Sequence, residues 1–190
     1  MKKILIVLLS ALFLVACGNA EEYGEELQST ADELLDNAAE VEEMLNQYSN
    51  VWSYSIKSRG AIPVSDMATQ TGLEEDVITE YFQVNQIGNI PDDFTLNILS
   101  LNLYFESTGR LEEIEQSSAE MKNKINELND PPSGYEKAYD ELLDLFTYTE
   151  EYIEMALNPS GSLQSFDGAK GELSSDILSK HKRVEATMPN

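Results

Sequence analysis

The chain has 190 residues, with 12 basic and 35 acidic side chains and a formal net charge of −23. Such a surface repels nucleic acid, because proteins bind nucleic acid mainly through Lys and Arg side chains that neutralise phosphates. Nucleic-acid binding is therefore excluded. Cys17 is the only cysteine, so the chain has no intramolecular disulfide. A chain without such cross-links must be held together by its apolar core.

The first residues predict an export signal. Lys2 and Lys3 form a short positive segment, and residues 4–16 (ILIVLLSALFLVA) follow without a charge. This apolar run is too short for a membrane-spanning helix, which needs about 20 residues. Its length and flanks are typical of the hydrophobic part of a signal peptide.

The end of the apolar run carries a more specific pattern. Leu14, Val15 and Ala16 precede Cys17, and Gly18 follows it. These residues resemble the lipobox of bacterial lipoproteins. The resemblance implies that the chain is cut before Cys17 and that diacylglycerol is attached to its sulfur. Two acyl chains give stable anchoring where one is marginal. The alternatives are an ordinary signal peptide with a coincidental cysteine and an uncleaved N-terminal anchor.

This pattern divides the chain into three parts. Residues 1–16 are expected to be the signal peptide, residues 17–26 the lipidated cysteine with a short tether, and residues 27–190 a single acidic helical domain. Removing Lys2 and Lys3 leaves 10 basic residues against 35 acidic ones, a net charge of about −25. The carboxylates are spread along the chain, so we interpret them as a solvated surface suited to the habitat. An interaction surface for a basic partner or for cations is the alternative.

Apolar periodicity predicts the secondary structure. Residues 21–59 carry apolar or small side chains at alternating gaps of four and three, which predicts one long helix. Residues 60–72 are the least periodic stretch, and a shorter helix is expected over residues 73–87. A third helix is expected from Asp92 or Asp93 to residue 128, with a kink or break at Gly109. The first part of its apolar stripe is Phe94, Ile98, Leu101 and Phe105. A capping-box pattern, Ser133 to Glu136, predicts the start of the fourth helix. The last helix is expected from about Ser162.

No part of the mature chain alternates convincingly as a strand. Long amphipathic helices with short connections favour an all-α fold. We predict an elongated antiparallel bundle of four long helices plus one shorter helix.

Aromatic residues at the end of the first predicted helix are the candidate interaction surface. Tyr48, Trp52 and Tyr54 lie just before the irregular segment, and aromatic side chains are enriched at the energetic centres of interfaces. The alternative is core packing at one end of the bundle, because Tyr48 and Trp52 are in phase with the apolar stripe.

Catalytic and metal-binding patterns are missing from the sequence. The only histidine, His181, lacks the partners that a di-iron helical bundle requires, and we interpret it as a boundary residue. Neighbouring carboxylates, such as Glu22 and Glu25, are expected to face water. We therefore predict no catalytic residue, no metal site, no cofactor and no enzymatic activity.

A second resemblance concerns the whole chain. A lipobox followed by one acidic helical domain looks like the small surface lipoproteins of Gram-positive bacteria, whose function is uncharacterised. Residues 48–52 (YSNVW) and 158–166 (NPSGSLQSF) look similar to segments in such proteins.

Three functions are compatible with these observations. The leading hypothesis is a binding or adaptor module on the extracytoplasmic face of the cell membrane, held there by lipid on Cys17, that contacts another envelope protein. The second is a ligand- or cation-binding lipoprotein with a cavity between helices. The third, phage-related surface exclusion or immunity, rests on analogy alone.

Overall fold

The fold is all-α. The structure is a computed structural model that describes residues 2–189, with side chains described from residue 20 to residue 189. In this range it contains seven helices and one pair of two-residue strands. In chain order these are α1 (Lys2–Lys57), β1 (Ile62–Pro63), α2 (Val64–Thr71), α3 (Glu75–Tyr81), β2 (Asn89–Ile90), α4 (Phe94–Ser107), α5 (Arg110–Glu127), α6 (Glu136–Leu157) and α7 (Leu163–Thr187).

The apolar stripe predicted for the first helix forms the centre of the core. Its members alternate by four and three residues, which keeps them on one face of a helix with 3.6 residues per turn. The buried members are Leu27, Ala31, Leu34, Ala38, Val41, Leu45, Tyr48 and Trp52. The stripe was therefore predicted correctly.

The packed part of α1 begins before the predicted domain start at residue 27. Tyr23 donates a hydrogen bond from its hydroxyl to the carbonyl oxygen of Leu128 at 2.8 Å. The ring of Tyr23 also meets the ring of Tyr135 edge to face, with centroids 5.3 Å apart. Gly24 is buried beside Tyr135. The side chain of Cys17 lies outside the described residues.

The region between α1 and α4 is more structured than predicted. Residues 60–72, expected to be irregular, contain β1 and the two-turn helix α2. The helix predicted over residues 73–87 is shorter, and only Glu75–Tyr81 is helical. Asn85 explains the early end, because its side-chain oxygen accepts hydrogen bonds from the backbone amides of Ile87 and Asn89, both at 3.0 Å. These bonds form a turn that brings Ile90 opposite Ile62.

The third predicted helix is two helices. Gly109 separates α4 from α5 and has a φ angle of +79°. This left-handed conformation favours glycine and cannot continue an α-helix. Asp93 caps α4 as expected for an acid at a helix start: its carboxylate accepts from the amide nitrogens of Thr95 and Leu96 at 2.9 and 3.3 Å.

The predicted capping box at Ser133 is wrong. Helix α6 begins at Glu136, and its N-cap residue makes no side-chain capping bond. The Glu136 carboxylate instead accepts from the amide of Gly134 at 2.7 Å. A capping box does open α7, where Ser162 and Ser165 exchange side-chain to backbone hydrogen bonds.

The core lies where α1, α5, α6 and α7 meet, and α2 and α4 also pack on α1. Lys180 of α7 is paired with Glu141 and Asp144 of α6 at 2.8 and 2.6 Å. The hydrogen bonds that Lys180 donates to these two carboxylates, the one to Asp144 first, raise the pKa of Lys180. Within the described residues, none of the helices is both long enough and apolar enough to cross a membrane.

Candidate functional site

Two of the three aromatic residues predicted as an interaction surface lie in the core. Tyr48 is fully buried, and its hydroxyl accepts a hydrogen bond from the side-chain amide of Asn102 at 3.0 Å. Its ring meets the ring of Phe105 edge to face, with centroids 5.4 Å apart. Burial raises the pKa of Tyr48 to about 12, and the hydrogen bond from Asn102 opposes this shift. Tyr48 is therefore not available to a partner.

Trp52 connects three helices. It is only 5% exposed. Its indole stacks on Phe94 of α4, with centroids 5.8 Å apart and an interplanar angle of 12°, and lies 5.7 Å from the ring of Phe166 of α7. The structure therefore corrects the prediction that Tyr48 and Trp52 form a contact surface. Both point inward because they are in phase with the buried stripe of α1.

Tyr54 is held at the edge of the fold. Its hydroxyl donates a hydrogen bond to the carboxylate of Asp66 in α2 at 2.7 Å. This hydrogen bond is the main cause of the raised pKa of Tyr54. The side chain is half-buried and packs against the core. Tyr54 fixes α2 to α1 and offers little free surface.

An exposed apolar surface lies on α4. Leu96, Leu99 and Leu103 are spaced by three and four residues and share one side of this helix. Leu99 is 53% exposed and Leu103 is 46% exposed, whereas Leu96 is half-buried. We call these three residues the outer face of α4. Residues 94–105 contain no charged side chain.

The opposite side of α4 is more polar than a core-facing side usually is. It buries Asn97 and Ser100 together with Leu101 and Phe105. The side-chain amide of Asn97 donates to the hydroxyl of Ser55 at 3.0 Å and to the carbonyl oxygen of Pro91 at 2.9 Å. These bonds orient α4 against α1 and leave leucines pointing outward.

Carboxylates border the outer face of α4. Asp92 and Asp93 lie before the helix, Glu106 lies in its last turn, and all three are exposed. An apolar stripe with negative charges at both ends fits an apolar groove that carries positive charges at its ends.

Sequence reasoning missed the outer face of α4. It assigned the helix one apolar stripe, through Phe94, Ile98, Leu101 and Phe105, of which Leu101 and Phe105 are fully buried. The second stripe, formed by Leu96, Leu99 and Leu103, was visible in the same segment at helical spacing. Residues 94–105 contain no charged side chain although the chain as a whole is very acidic, and this feature could have indicated an exposed apolar face.

His181 is a structural residue in this fold. Its Nε2 atom lies 2.7 Å from the carboxylate of Asp32, which joins α7 to α1. Among the side chains that the structure describes, no group of three or more His, Cys, Asp or Glu residues is placed to hold a metal ion.

Comparisons with known proteins found no match to this chain among protein-family models, curated proteins or solved structures.

Proposed function

We propose that the protein is a lipid-anchored binding module of the cell envelope, and that the outer face of α4 is its contact surface for another envelope protein. The observation that supports this most directly is the exposure of Leu99 and Leu103 on a charge-free helix. Neighbouring exposed leucines in helical register are the anchors by which a helix binds in a partner's apolar groove.

The proposed anchor is lipid on Cys17, on the extracytoplasmic face of the membrane. Packing against the fold begins at Tyr23, six residues further along the chain. Six residues span at most about 21 Å when fully extended. The folded body would therefore stay close to the membrane and meet partners that are held in the same membrane.

The proposed arrangement of the body is an elongated antiparallel bundle of the four long helices α1, α5, α6 and α7. The contacts between α1 and the two helices α4 and α5 support an antiparallel arrangement, because residues late in α1 meet α4 and residues early in α1 meet the end of α5. Tyr48 meets Phe105, and Tyr23 meets Leu128. The outer face of α4 would then lie about 40 Å along α1 from Tyr23, at 1.5 Å per residue. The partner therefore needs an extracytoplasmic domain.

The two exposed leucines alone provide only a weak contact. Anchoring of both proteins in one membrane would make this weak contact sufficient for binding. Complete burial of a leucine side chain contributes about 1.5–3 kcal/mol. About half of each side chain is still exposed in Leu99 and Leu103. Covering the remainder of both contributes about 2 kcal/mol, or roughly 30-fold in affinity. Two proteins confined near one membrane meet at a high effective concentration, so a modest affinity suffices.

The test is site-specific photo-crosslinking in cells of the source organism. A photoreactive leucine analogue is placed at position 99 or 103, and at Leu143 of α6 as a control with 38% exposure. We expect a discrete protein adduct from positions 99 and 103, none from 143, and loss of the position 99 adduct in a Leu103→Gln background. Adducts of equal yield from all three positions, or adducts to lipid alone, would contradict the proposal.

The anchor is tested separately with Cys17→Ser. We expect this variant to escape lipidation and to be released from washed membranes, with its crosslinks from position 99 much reduced. If the variant is processed and retained as fully as the wild type, the lipid anchor is wrong. A released variant that still forms the same crosslinks would retain the contact surface but refute the need for anchoring.

A further inference from the structure

Helix α4 buries an amide side chain that lacks one hydrogen bond. Asn97 is 1% exposed and is the only Asn or Gln among the buried residues that the structure describes. Its amide nitrogen donates to the hydroxyl oxygen of Ser55 and to the carbonyl oxygen of Pro91. The oxygen of Pro91 can only accept, which fixes the orientation of the amide. The side-chain oxygen of Asn97 is buried and accepts no hydrogen bond from the described residues.

The other buried polar side chains are better matched to the core. Four of the other six donate to the carbonyl oxygen four residues earlier in their own helix, namely Thr30, Ser55, Thr71 and Thr149. Such bonds do not depend on packing against a second helix. Asn97 differs, because a buried oxygen without a partner is unfavourable until it meets water. Separation of α4 from α1 would supply that water.

The backbone allows α4 to move as one piece. Its N-cap bonds run from Asp93 to the next residues of α4, and the backbone amides of Thr108 and Gly109 donate back into its last turn. The left-handed Gly109 ends α4, so the ladder of α5 begins independently of it. Side-chain packing against α1, α3 and α5 therefore holds α4 in place.

Only one side of α4 contributes to this packing. Leu101 and Phe105 are fully buried, whereas Leu99 and Leu103 are about half exposed. Burial of apolar surface is the main favourable contribution to packing. A helix that buries Asn97 and exposes two leucines gains less from packing than one that buries every leucine.

We infer that α4 is a releasable segment. Residues 93–109 leave α1 together, with the chain pivoting at Pro91 and Gly109, while α1, α5, α6 and α7 stay folded. Proteins open in such contiguous units at free energies below that of global unfolding. Release hydrates the side-chain oxygen of Asn97 and exposes Leu101 and Phe105.

Release would regulate the contact proposed for α4, and this consequence rests on the proposed function. Docked α4 offers only its outer face to a partner. Released α4 would also offer the side that carries Leu101 and Phe105, as helices bound in apolar grooves do. The equilibrium between the two states would then set the strength of the contact. Release itself needs no partner, so it is tested separately from the contact surface.

The test is hydrogen exchange of the purified full chain, followed by mass spectrometry at urea concentrations below the unfolding transition. Protection is compared between residues 98–107 of α4 and residues 41–52 of α1. We expect protection in α4 to be lower by at least about tenfold. It should also depend less on urea, because a local opening exposes less surface than global unfolding. Equal protection with equal urea dependence in the two segments would overturn the inference.

Asn97→Asp tests the buried amide at nearly constant size. An ionised carboxylate cannot donate to Pro91, and a buried charge without a partner is strongly destabilising. We expect at pH 7 a loss of protection in α4 of at least about 100-fold, with α6, α7 and residues 27–41 of α1 within about threefold of the wild type.

Asn123→Asp is the matched control, because it makes the same change at an exposed position of α5. Its protection in α4 should stay within about threefold of the wild type. The inference is wrong if Asn97→Asp lowers protection equally in every helix, if it leaves α4 as protected as in the wild type, or if Asn123→Asp releases α4 to the same extent.

Discussion

Replacing Trp52 by alanine should destabilise the protein strongly, because the structure makes Trp52 a core residue. The indole is 5% exposed and lies between two rings, Phe94 at 5.8 Å and Phe166 at 5.7 Å. Its removal takes contacts from α1, α4 and α7 at once. The cavity that remains cannot be filled by Ala, and the two phenylalanine rings come from different helices.

The expected loss is about 4 kcal/mol in the free energy of unfolding, within the range of 3–5 kcal/mol for Trp or Phe to Ala in protein cores. Domains of this size have total stabilities of about 5–15 kcal/mol, so the variant should still fold but with a small remaining free energy of unfolding. Leu99→Ala is the control on the outer face of α4. With 53% of Leu99 exposed, its effect should stay within about 0.5 kcal/mol.

Equilibrium unfolding in urea measures both effects. The signal should be circular dichroism at a helix band, because Trp52 is the only tryptophan and its replacement removes the indole fluorescence. In the wild type, fluorescence quenching by acrylamide gives a second measurement, and we expect poor quenching. A loss below about 1 kcal/mol for Trp52→Ala, or an indole that acrylamide quenches freely, would refute the assignment of Trp52 to the core.

Three further results are expected. Gly24→Ala should destabilise by about 1–3 kcal/mol, because a Cβ atom there would lie 2.6 Å from the hydroxyl oxygen of Tyr135; unchanged urea unfolding would contradict this close packing. Gly168→Ala, where a Cβ meets nothing within 4 Å, should instead stabilise α7 by about 0.5–1 kcal/mol in the same assay. Burial raises the pKa values of Tyr48 and Tyr152 to about 12 from 10.0, so the folded state holds the phenol protons more tightly than the unfolded state. The contribution of these two protonated phenols to the free energy of unfolding is complete below pH 10 and is lost as the pH rises through 12. The urea midpoint should fall over that interval and fall less in Tyr152→Phe, and a flat profile would show that neither tyrosine is protected.

The long helices could be predicted because their apolar residues recur at helical spacing. Leu34, Val41 and Leu45 all point inward, since one face of an α-helix repeats every three or four residues. The helix stops were partly predictable. Gly109 was expected to kink or break the third helix, and its left-handed backbone ends α4.

The prediction was weakest where side chains bond to the backbone over short distances. The turn at Asn85 shortens α3 through two side-chain hydrogen bonds. Such bonds produce no periodic pattern of apolar residues, so they could not be recognised in the sequence. Helix α2 has eight residues, which is too few for a stripe to be recognised. Ser133 fitted the capping pattern, but the backbone there begins α6 three residues later.

The candidate site was harder to predict than the fold, because aromatic side chains serve both cores and interfaces. Trp52 and Tyr48 have the same helical spacing as the apolar stripe of α1, and this spacing places both side chains in the core. The outer face of α4 was missed for the opposite reason. Leucine normally indicates a core position, so exposed leucines were not expected. The structure shows that α4 instead buries the side that carries Asn97 and Ser100.

The charge distribution limits what can cover the outer face of α4. Several cations of the chain are already engaged in ion pairs between helices, among them Lys124 with Glu33 and Lys180 with Glu141. The large excess of carboxylates therefore remains in contact with solvent. Two copies of the chain would each bring this negative charge to a shared interface, and the repulsion opposes self-association through the leucines. A partner with an apolar groove and basic ends meets no such repulsion, so the acidity of the chain favours the proposed envelope protein over a second copy as the occupant of this face.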